Sequence, residues 1–393
     1  MSDVLDIDIT LIGGGVSGLW LLSRLRELGY GVLLVEGHSL GAGQSLRAQG
    51  LVHDPCQPAG DPVRGPSRAE LSQIWQRCLE GRGEVDLRAV QRLSGVQYQW
   101  FCPPRGFRPR LFGGLRHSAF QGPGEALERE AYPPSLRHDR FRGQLYRLDE
   151  PVLDMGSLLE ELARPHRQAM VLNQSHVVPA ADGGLTLRVS DRDPVVVRSR
   201  RTIACAGANN GFLSQTNMQL RPAQLVMVRG SGLPDSLNLH CLEADEEGPR
   251  LSIISQRDLA GRTVWYIGGR LAEEGGRSRS ERHLHRVRRQ LTALLPWVDF
   301  AGSEWSNTHV DWAEPRQRHR ARPTQPGVSQ LNRLITVWPV TLGMVPLMAE
   351  QVLKLLRQQD FQPRYRDLSL LDHWPRPLVG VRPWDDPGRQ WHR

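Results

Sequence analysis

The feature that most constrains this chain is a strand, a glycine turn and a helix in immediate succession at its start. Ile7 to Ile12 reads as a short β-branched strand running directly into Gly13-Gly14-Gly15-Val16-Ser17-Gly18. Leu19, Leu22, Leu25 and Leu28 then recur at near-helical spacing, and Gly29 stands where such a helix stops. A second strand, Val32 to Val35, ends in Glu36. Each piece has a mechanical reason. Gly13 permits the tight strand-to-helix turn, Gly15 lets backbone approach a pyrophosphate, and Gly18 lets helix pack close on strand. The helix N-terminus at Val16 and Ser17 presents unpaired N–H groups and partial positive charge to phosphates. Glu36, eighteen residues beyond Gly18, is placed to accept hydrogen bonds from a ribose. Together these residues predict a βαβ unit that binds a dinucleotide.

The fingerprint alone does not choose between dinucleotides; the next stretch does. Gly41-Ala42-Gly43-Gln44-Ser45-Leu46-Arg47-Ala48-Gln49-Gly50-Leu51-Val52-His53 resembles the second flavin-binding segment of the D-amino-acid oxidase and glycerol-3-phosphate dehydrogenase superfamily. The resemblance implies FAD, with Gln44 and Ser45 as phosphate or ribitol ligands and Gln49, Gly50 and Leu51 beside the flavin ring. Arg201-Thr202-Ile203-Ala204-Cys205-Ala206-Gly207-Ala208 is similar to that superfamily's strand and Ala-Gly element, which returns to the cofactor. Val177-Val178 stands where the strand at the adenine is expected. Leu334 to Pro339 reads as a strand and loop, and a helix from about Pro346 to Leu356 follows. The resemblance points that helix at the flavin pyrimidine ring, with Pro339, Thr341, Leu342 and Gly343 on the approach. The similarity covers most of the chain and is strongest to a bacterial group of uncharacterised flavin-dependent oxidoreductases. Two departures stand out: relatives carry His-Gly-Gly where this chain has His53-Asp54-Pro55, and lysine where it has Thr341. The first alters how backbone passes the flavin; the second removes a positive charge near it.

The fold this implies is α/β: a Rossmann-like FAD-binding domain with a parallel sheet, plus a second α+β substrate domain with a mostly antiparallel sheet. The FAD domain is discontinuous (1–95, 150–215 and 305–362), and residues 96–149 and 216–304 form the substrate domain. Leu225 to Val228 and Thr263 to Ile267 are its best strands, and Asp154 to Ala163 is the helix crossing back. At 393 residues the chain has length enough for two such domains. The tail, 363–393, is rich in proline, arginine and tryptophan, and either packs on the body or binds a partner.

Flavin chemistry asks little of side chains: a hydride leaves a substrate C–H, and the protein orients the substrate and tunes the cofactor. Arg322-Pro323 resembles the Arg-Pro of amino-acid oxidases in this superfamily, where arginine grips a substrate carboxylate, a task its forked guanidinium suits. The same run, Arg316 to Arg322, also reads as a surface loop. Tyr266 and Arg270 end a substrate-domain strand, and His53 stands where relatives also have histidine; Arg322, His53 and Tyr266 are the candidate catalytic residues. The expected enzyme is an FAD-dependent dehydrogenase or oxidase acting on an amino acid, amine or hydroxy acid. The expected substrate is a small anion, a carboxylate, and electrons are expected to pass to oxygen or a carrier. A flavin-binding scaffold or partner subunit without turnover is the reading from a different class. A flavin monooxygenase would need a Gly-Asp motif before the last helix, and a disulfide reductase a redox CxxC and a second GxGxxG; none of these occurs.

Composition adds limits. The net charge of +8 comes almost wholly from arginine, Lys354 being the single lysine; this reads as a solvated surface, with no nucleic-acid partner expected. The basic stretch Arg277 to Arg289 is expected to be a solvated helix face. The five cysteines show no metal-ligand spacing and no framework, so no metal is expected and a reducing compartment is. Asp3, Asp6 and Asp8 oppose a basic leader, and Ile9 to Leu22 is too short to span a bilayer. A cytoplasmic location without a transmembrane segment is the expectation; oligomeric state is unassigned.

Overall fold

The computed structural model describes residues 3–52, 68–101, 124–173, 184–188, 193–213, 218–243 and 248–393. His53 and Val178 lie outside the described residues. In chain order the first third supplies β1 (Asp3–Ile12), α1 (Val16–Glu27), β2 (Val32–Glu36), α2 (Arg68–Leu79), β3 (Arg92–Ser94), β4 (Gln97–Phe101) and β5 (Glu125–Ala126). The middle supplies β6 (Gln144–Leu148), β7 (Val152–Leu153), α3 (Met155–Ala163), β8 (Met170–Leu172), β9 (Gly184–Leu187), β10 (Val195–Ala204) and α4 (Asn210–Leu213). Then come β11 (Met218–Arg229), β12 (Asn238–Leu242), β13 (Leu251–Arg257), β14 (Thr263–Gly268), α5 (Arg270–Gly275) and α6 (Ser280–Leu294). The chain closes with β15 (Glu304–Pro315), β16 (Gly327–Leu331), β17 (Leu334–Trp338) and α7 (Val345–Gln358).

Among the described residues two large sheets form. In the first, β8, β2, β1, β10 and β17 lie side by side and all parallel, with β16 and β9 added antiparallel. β1 begins at Asp3, earlier than its β-branched core suggests, because it pairs with β10 from Asp3 and Val195 onward. A central parallel strand is covered on both faces: Ile7, Ile9, Leu11 and Ile12 are buried, and so are the intervening Asp8 and Thr10. Leu19, Leu22 and Leu25 of α1 are fully buried in the same core as Val345, Met348 and Val352 of α7. Each such burial contributes about 1.5–3 kcal/mol.

The second sheet runs β15-β11-β14-β13-β12-β4-β6-β5, antiparallel throughout except for β12 beside β4. One face, with Trp100, Val226, Leu239, Ile253 and Trp265, packs with Leu284, Val287 and Leu291 of α6. The exposed side of α6 carries the arginines. β15 pairs with β11 along twelve residues, so residues 305–315, which sequence reading places with the first body, belong to the edge of the second sheet. Long-range pairing of this kind leaves no local signal in sequence.

The tail packs on the body. The Leu40 N–H donates to the Leu378 carbonyl, the Gly380 N–H to the Leu40 carbonyl, and the Leu172 N–H to the Pro375 carbonyl. Farther on, both Arg382 bonds reach Asp154 at 2.8 Å, and His392 bridges Trp305 of β15. Trp374 and Trp384 are buried, one against each sheet. No helix among the described residues is long and apolar enough to cross a membrane.

Candidate functional site

Five parallel strands end on one edge of the first sheet. β1 delivers Gly13, β2 ends in Glu36, β10 runs into Ala206 and Gly207, and β17 runs into Pro339. Strand order reverses between β1 and its neighbours β2 and β10, and ligands of open α/β sheets bind outside the carboxyl ends at such a switch point.

Gly13 and Gly18 at this edge have no room for anything larger. Gly13 has φ +108°, and a Cβ there would lie 2.7 Å from the Cys205 carbonyl oxygen. A Cβ on Gly18 would run into the Gly13 carbonyl oxygen. Gly15 caps α1 in extended conformation, and the first turn of that helix carries no acidic residue. The Val16 N–H donates to Ser45 Oγ at 3.0 Å, so Ser45 stands directly over the positive end of the helix. Glu36 receives the N–H of Gly14 at 2.6 Å on one oxygen and those of Gly37 and His38 at 2.8 and 2.9 Å on the other. A hydroxyl at a helix N-terminus and a carboxylate closing the next strand are the donor and acceptor set a dinucleotide requires; the residues fit the group.

Gln44 reaches across to the second sheet, its amide donating to the Asp311 carbonyl at 2.8 Å, and Gly207 lies against it. Gln49 does the same farther along: its amide nitrogen donates to the carbonyls of Tyr266 at 2.9 Å and Ser252 at 3.3 Å. Gly50 accepts from the Leu153 N–H at 2.9 Å, and Leu51 bridges Val152. The segment from Gln44 to Leu51 is thus held between the two sheets.

Three residues absent from the sequence reading shape this edge. Asn210 is fully buried; it accepts from the Ala206 N–H at 2.9 Å and donates to the Val337 carbonyl at 3.1 Å, tying the ends of β10 and β17. Trp75 donates its indole N–H to the Gly343 carbonyl at 3.0 Å, fixing the turn before α7. Val340 adopts φ +70° between Pro339 and Thr341. A β-branched residue there is a real outlier, of a kind that gathers at functional sites at a cost of about 1–3 kcal/mol. Only Asn210, a polar residue just past the Ala-Gly element, left a sequence signal. α7 starts at Val345 with Pro346 in its first turn, matching the expected start, and Thr341, Leu342 and Gly343 form the turn leading into it.

Tyr266 and Arg322 are each engaged with partners within the chain. Tyr266 is fully buried, donates its hydroxyl to the Arg47 carbonyl at 2.8 Å and packs edge-on to Trp384. Burial pushes its phenol pKa far up, so it acts as a neutral donor. Arg322 has a half-exposed side chain whose guanidinium is paired with Glu273 of α5. Arg270 reaches Glu243 at 2.6 Å.

Comparison with known proteins follows the same lines. The family described as DAO, FAD dependent oxidoreductase, matches residues 8–328. A "Probable FAD-dependent oxidoreductase" of Pseudomonas aeruginosa is 34% identical over 397 residues, covering 98% of this chain and 99% of that protein. The crystal structure of the FAD dependent oxidoreductase from that organism superposes with TM-score 0.81 at 33% identity, over 98% of this chain and 99% of the other. More distant in sequence is glycine oxidase from Geobacillus kaustophilus, at 14% identity, TM-score 0.58 and coverage of 93% and 98%. The glycerol-3-phosphate dehydrogenase of Bacillus halodurans, complexed with FAD, gives 15%, 0.60, and 96% and 67%. These last two share the fold.

Proposed function

The chain belongs to the family of FAD dependent oxidoreductases, and we propose that it takes a hydride from a C–N or C–OH bond of an amino acid, amine or hydroxy acid. Electrons then pass to oxygen or a carrier. FAD supplies the hydride-accepting centre; the residues of this chain bind it and shape the space beside it. The observation that carries the reading is the meeting of two unlike surfaces. The carboxyl edge of the parallel strands brings Gly13, Gly15, Val16, Ser17, Gly18, Glu36, Ala206 and Gly207 together. Gln44 and Gln49 join that edge to strands of the second sheet. In this reading Ser45 and the α1 N-terminus receive the pyrophosphate, Glu36 a ribose, and Gln49, Gly50 and Leu51 border the flavin ring. Pro339, Thr341, Leu342 and Gly343, with the α7 N-terminus, border its pyrimidine side. A helix N-terminus offers about +0.5 charge, which favours negative charge arriving there by roughly 0.3–2 kcal/mol.

The substrate in this reading is an anion, and Arg322 is its candidate partner. Support comes from the Arg322-Pro323 resemblance and from the need of a buried carboxylate for a paired charge. To serve, the guanidinium must exchange Glu273 for the substrate. Anaerobic mixing with a panel of amino acids, secondary amines and hydroxy acids, followed by bleaching of bound FAD, tests the substrate class. With the best reductant found, Arg322→Ala is expected to retain FAD and raise the half-saturating concentration about 30-fold or more, the effect of unpairing a buried charge. Arg322→Lys recovers only part of it. Equal behaviour of Arg322→Ala and Arg286→Ala, the latter on α6 and paired with Glu274, would place Arg322 in the solvated loop.

A further inference from the structure

The face of the second sheet turned toward Gln49 is unexpectedly polar. Gln99, His240, Ser252 and Gly268 stand in register across β4, β12, β13 and β14, and the three side chains among them are buried. The opposite face of the same strands is Trp100, Leu239, Ile253 and Trp265. Buried polar side chains cost free energy unless hydrogen-bonded, and His240, fully buried, is bonded at both ring nitrogens. Nδ1 lies 2.8 Å from Ser252 Oγ and Nε2 lies 2.9 Å from Gln97 Oε1. An amide oxygen only accepts, so Nε2 carries the proton; in the neutral ring Nδ1 then accepts from the Ser252 hydroxyl.

Both arms continue to the same place. The Ser252 carbonyl accepts from the Gln49 amide at 3.3 Å. On the other side, the Gln97 amide nitrogen faces the carbonyls of Glu150 and Pro151, each at 3.4 Å. The next two residues, Val152 and Leu153, pair with Leu51 and Gly50. The imidazole therefore closes a circuit around Gln49-Gly50-Leu51, gripping it from the second sheet at one end and from the 150–153 segment at the other. Gln49 itself fits because position 268 is glycine: a Cβ there would come 2.5 Å from Gln49 Oε1.

We infer that His240 is a positioning residue that fixes Gln49-Gly50-Leu51 beside the flavin ring. It acts through Ser252 and Gln97, and it rests on the reading above that this segment borders the ring. Side chains and backbone at the ring set its electronic environment, so the visible absorption and reduction potential of bound FAD report the segment's position without any substrate.

The experiment compares FAD-loaded Gln49→Ala, His240→Ala, His240→Gln and Ser252→Ala with wild type, and uses His285→Ala on the exposed side of α6 as control. The expected result is full FAD content with displaced absorption maxima and a shifted potential in Gln49→Ala and His240→Ala. His240→Gln, which keeps an N–H for Gln97, returns part of the shift, and His285→Ala shows none. If Gln49→Ala moves the spectrum and His240→Ala does not, the positioning role of His240 falls and the placement of Gln49 stands. If Gln49→Ala leaves spectrum and potential unchanged, the placement itself falls, and the inference with it. Should His240→Ala not fold, Ser252→Ala, which removes one hydroxyl, is expected to shift both signals in the Gln49→Ala direction; a wild-type spectrum from it overturns the inference.

Discussion

In the first sheet the groups nearest the site come from loops at the ends of strands, whereas in the second they stand on the strands themselves. Gly13, Glu36, Ala206 and Pro339 follow or end β1, β2, β10 and β17, so the first sheet works as an edge. Gln99, His240, Ser252 and Tyr266 project from one side of β4, β12, β13 and β14, so the second works as a face. An edge built from backbone tolerates no added atoms, because backbone has nowhere to go. A face built from side chains can yield by rotating one of them. The two regions should therefore answer the same substitution differently.

Glycine to alanine is that substitution. Gly18→Ala forces a methyl into the Gly13 carbonyl, and the expected cost is about 3 kcal/mol, the upper end for overpacking, because backbone cannot rotate away. The purified variant is expected to be colourless and to unfold at lower urea. Gly268→Ala meets only the end of the Gln49 side chain, at a cost of about 1 kcal/mol for the displaced hydrogen bond. That variant should remain yellow. A colourless Gly268→Ala would erase the distinction between edge and face.

The strap joining the two regions comes next. Arg382 grips Asp154, whose other role is to cap α3 through the Ser157 N–H at 2.6 Å. Two residues on, Trp384 packs on Tyr266 beneath the face. Arg382→Ala leaves a buried carboxylate with its cap bond but without its cation. The expected loss is about 2 kcal/mol in urea unfolding, between the values for exposed and buried pairs. An unchanged midpoint would mean that the tail lies on the two regions without coupling them.

Val340 tests the edge from the opposite direction. Val340→Gly releases a strain of about 1–3 kcal/mol against a glycine cost of roughly 0.5–1 kcal/mol. A gain of about 1 kcal/mol is expected; a loss would show that the valine side chain contributes more by packing than its backbone costs.

The effect that is smallest at neutral pH is confined to acid. Burial, with a lesser contribution from Arg26, pushes the His166 pKa down to about 4. A base with a depressed folded pKa binds fewer protons folded than unfolded, so stability rises with pH through the window from about 4 to its ordinary 6.5. His166→Asn should flatten that part of the stability profile and leave neutral pH nearly unchanged. A profile as steep as wild type would assign the slope to carboxylates.

What sequence made legible follows the same division. The βαβ unit, the strand before Ala206-Gly207 and the helix at Pro346 are short contiguous patterns, and the structure has each of these elements where the sequence puts it. The face was not legible in this way. His240 is an unremarked residue in the run Asn238-Leu239-His240-Cys241-Leu242 until three other strands, from residues far apart in the chain, align beside it. β15 was assigned to the other body for the same reason: its partner β11 is some ninety residues away. The tail's tryptophans announced burial without saying against what. Tyr266 was singled out for its place at a strand end, yet its hydroxyl is turned to the Arg47 carbonyl, a partner found only when the sheets meet.

Gln49 lying across Gly268 has a consequence for how descendants of this sequence can diverge. A side chain larger than alanine at 268 calls for a shorter one at 49, because the Gln49 side chain occupies that space. The two positions are coupled in size, although more than two hundred residues separate them. A single replacement at 268 should cost more with each atom added beyond alanine, and a shorter residue at 49 should relieve that cost.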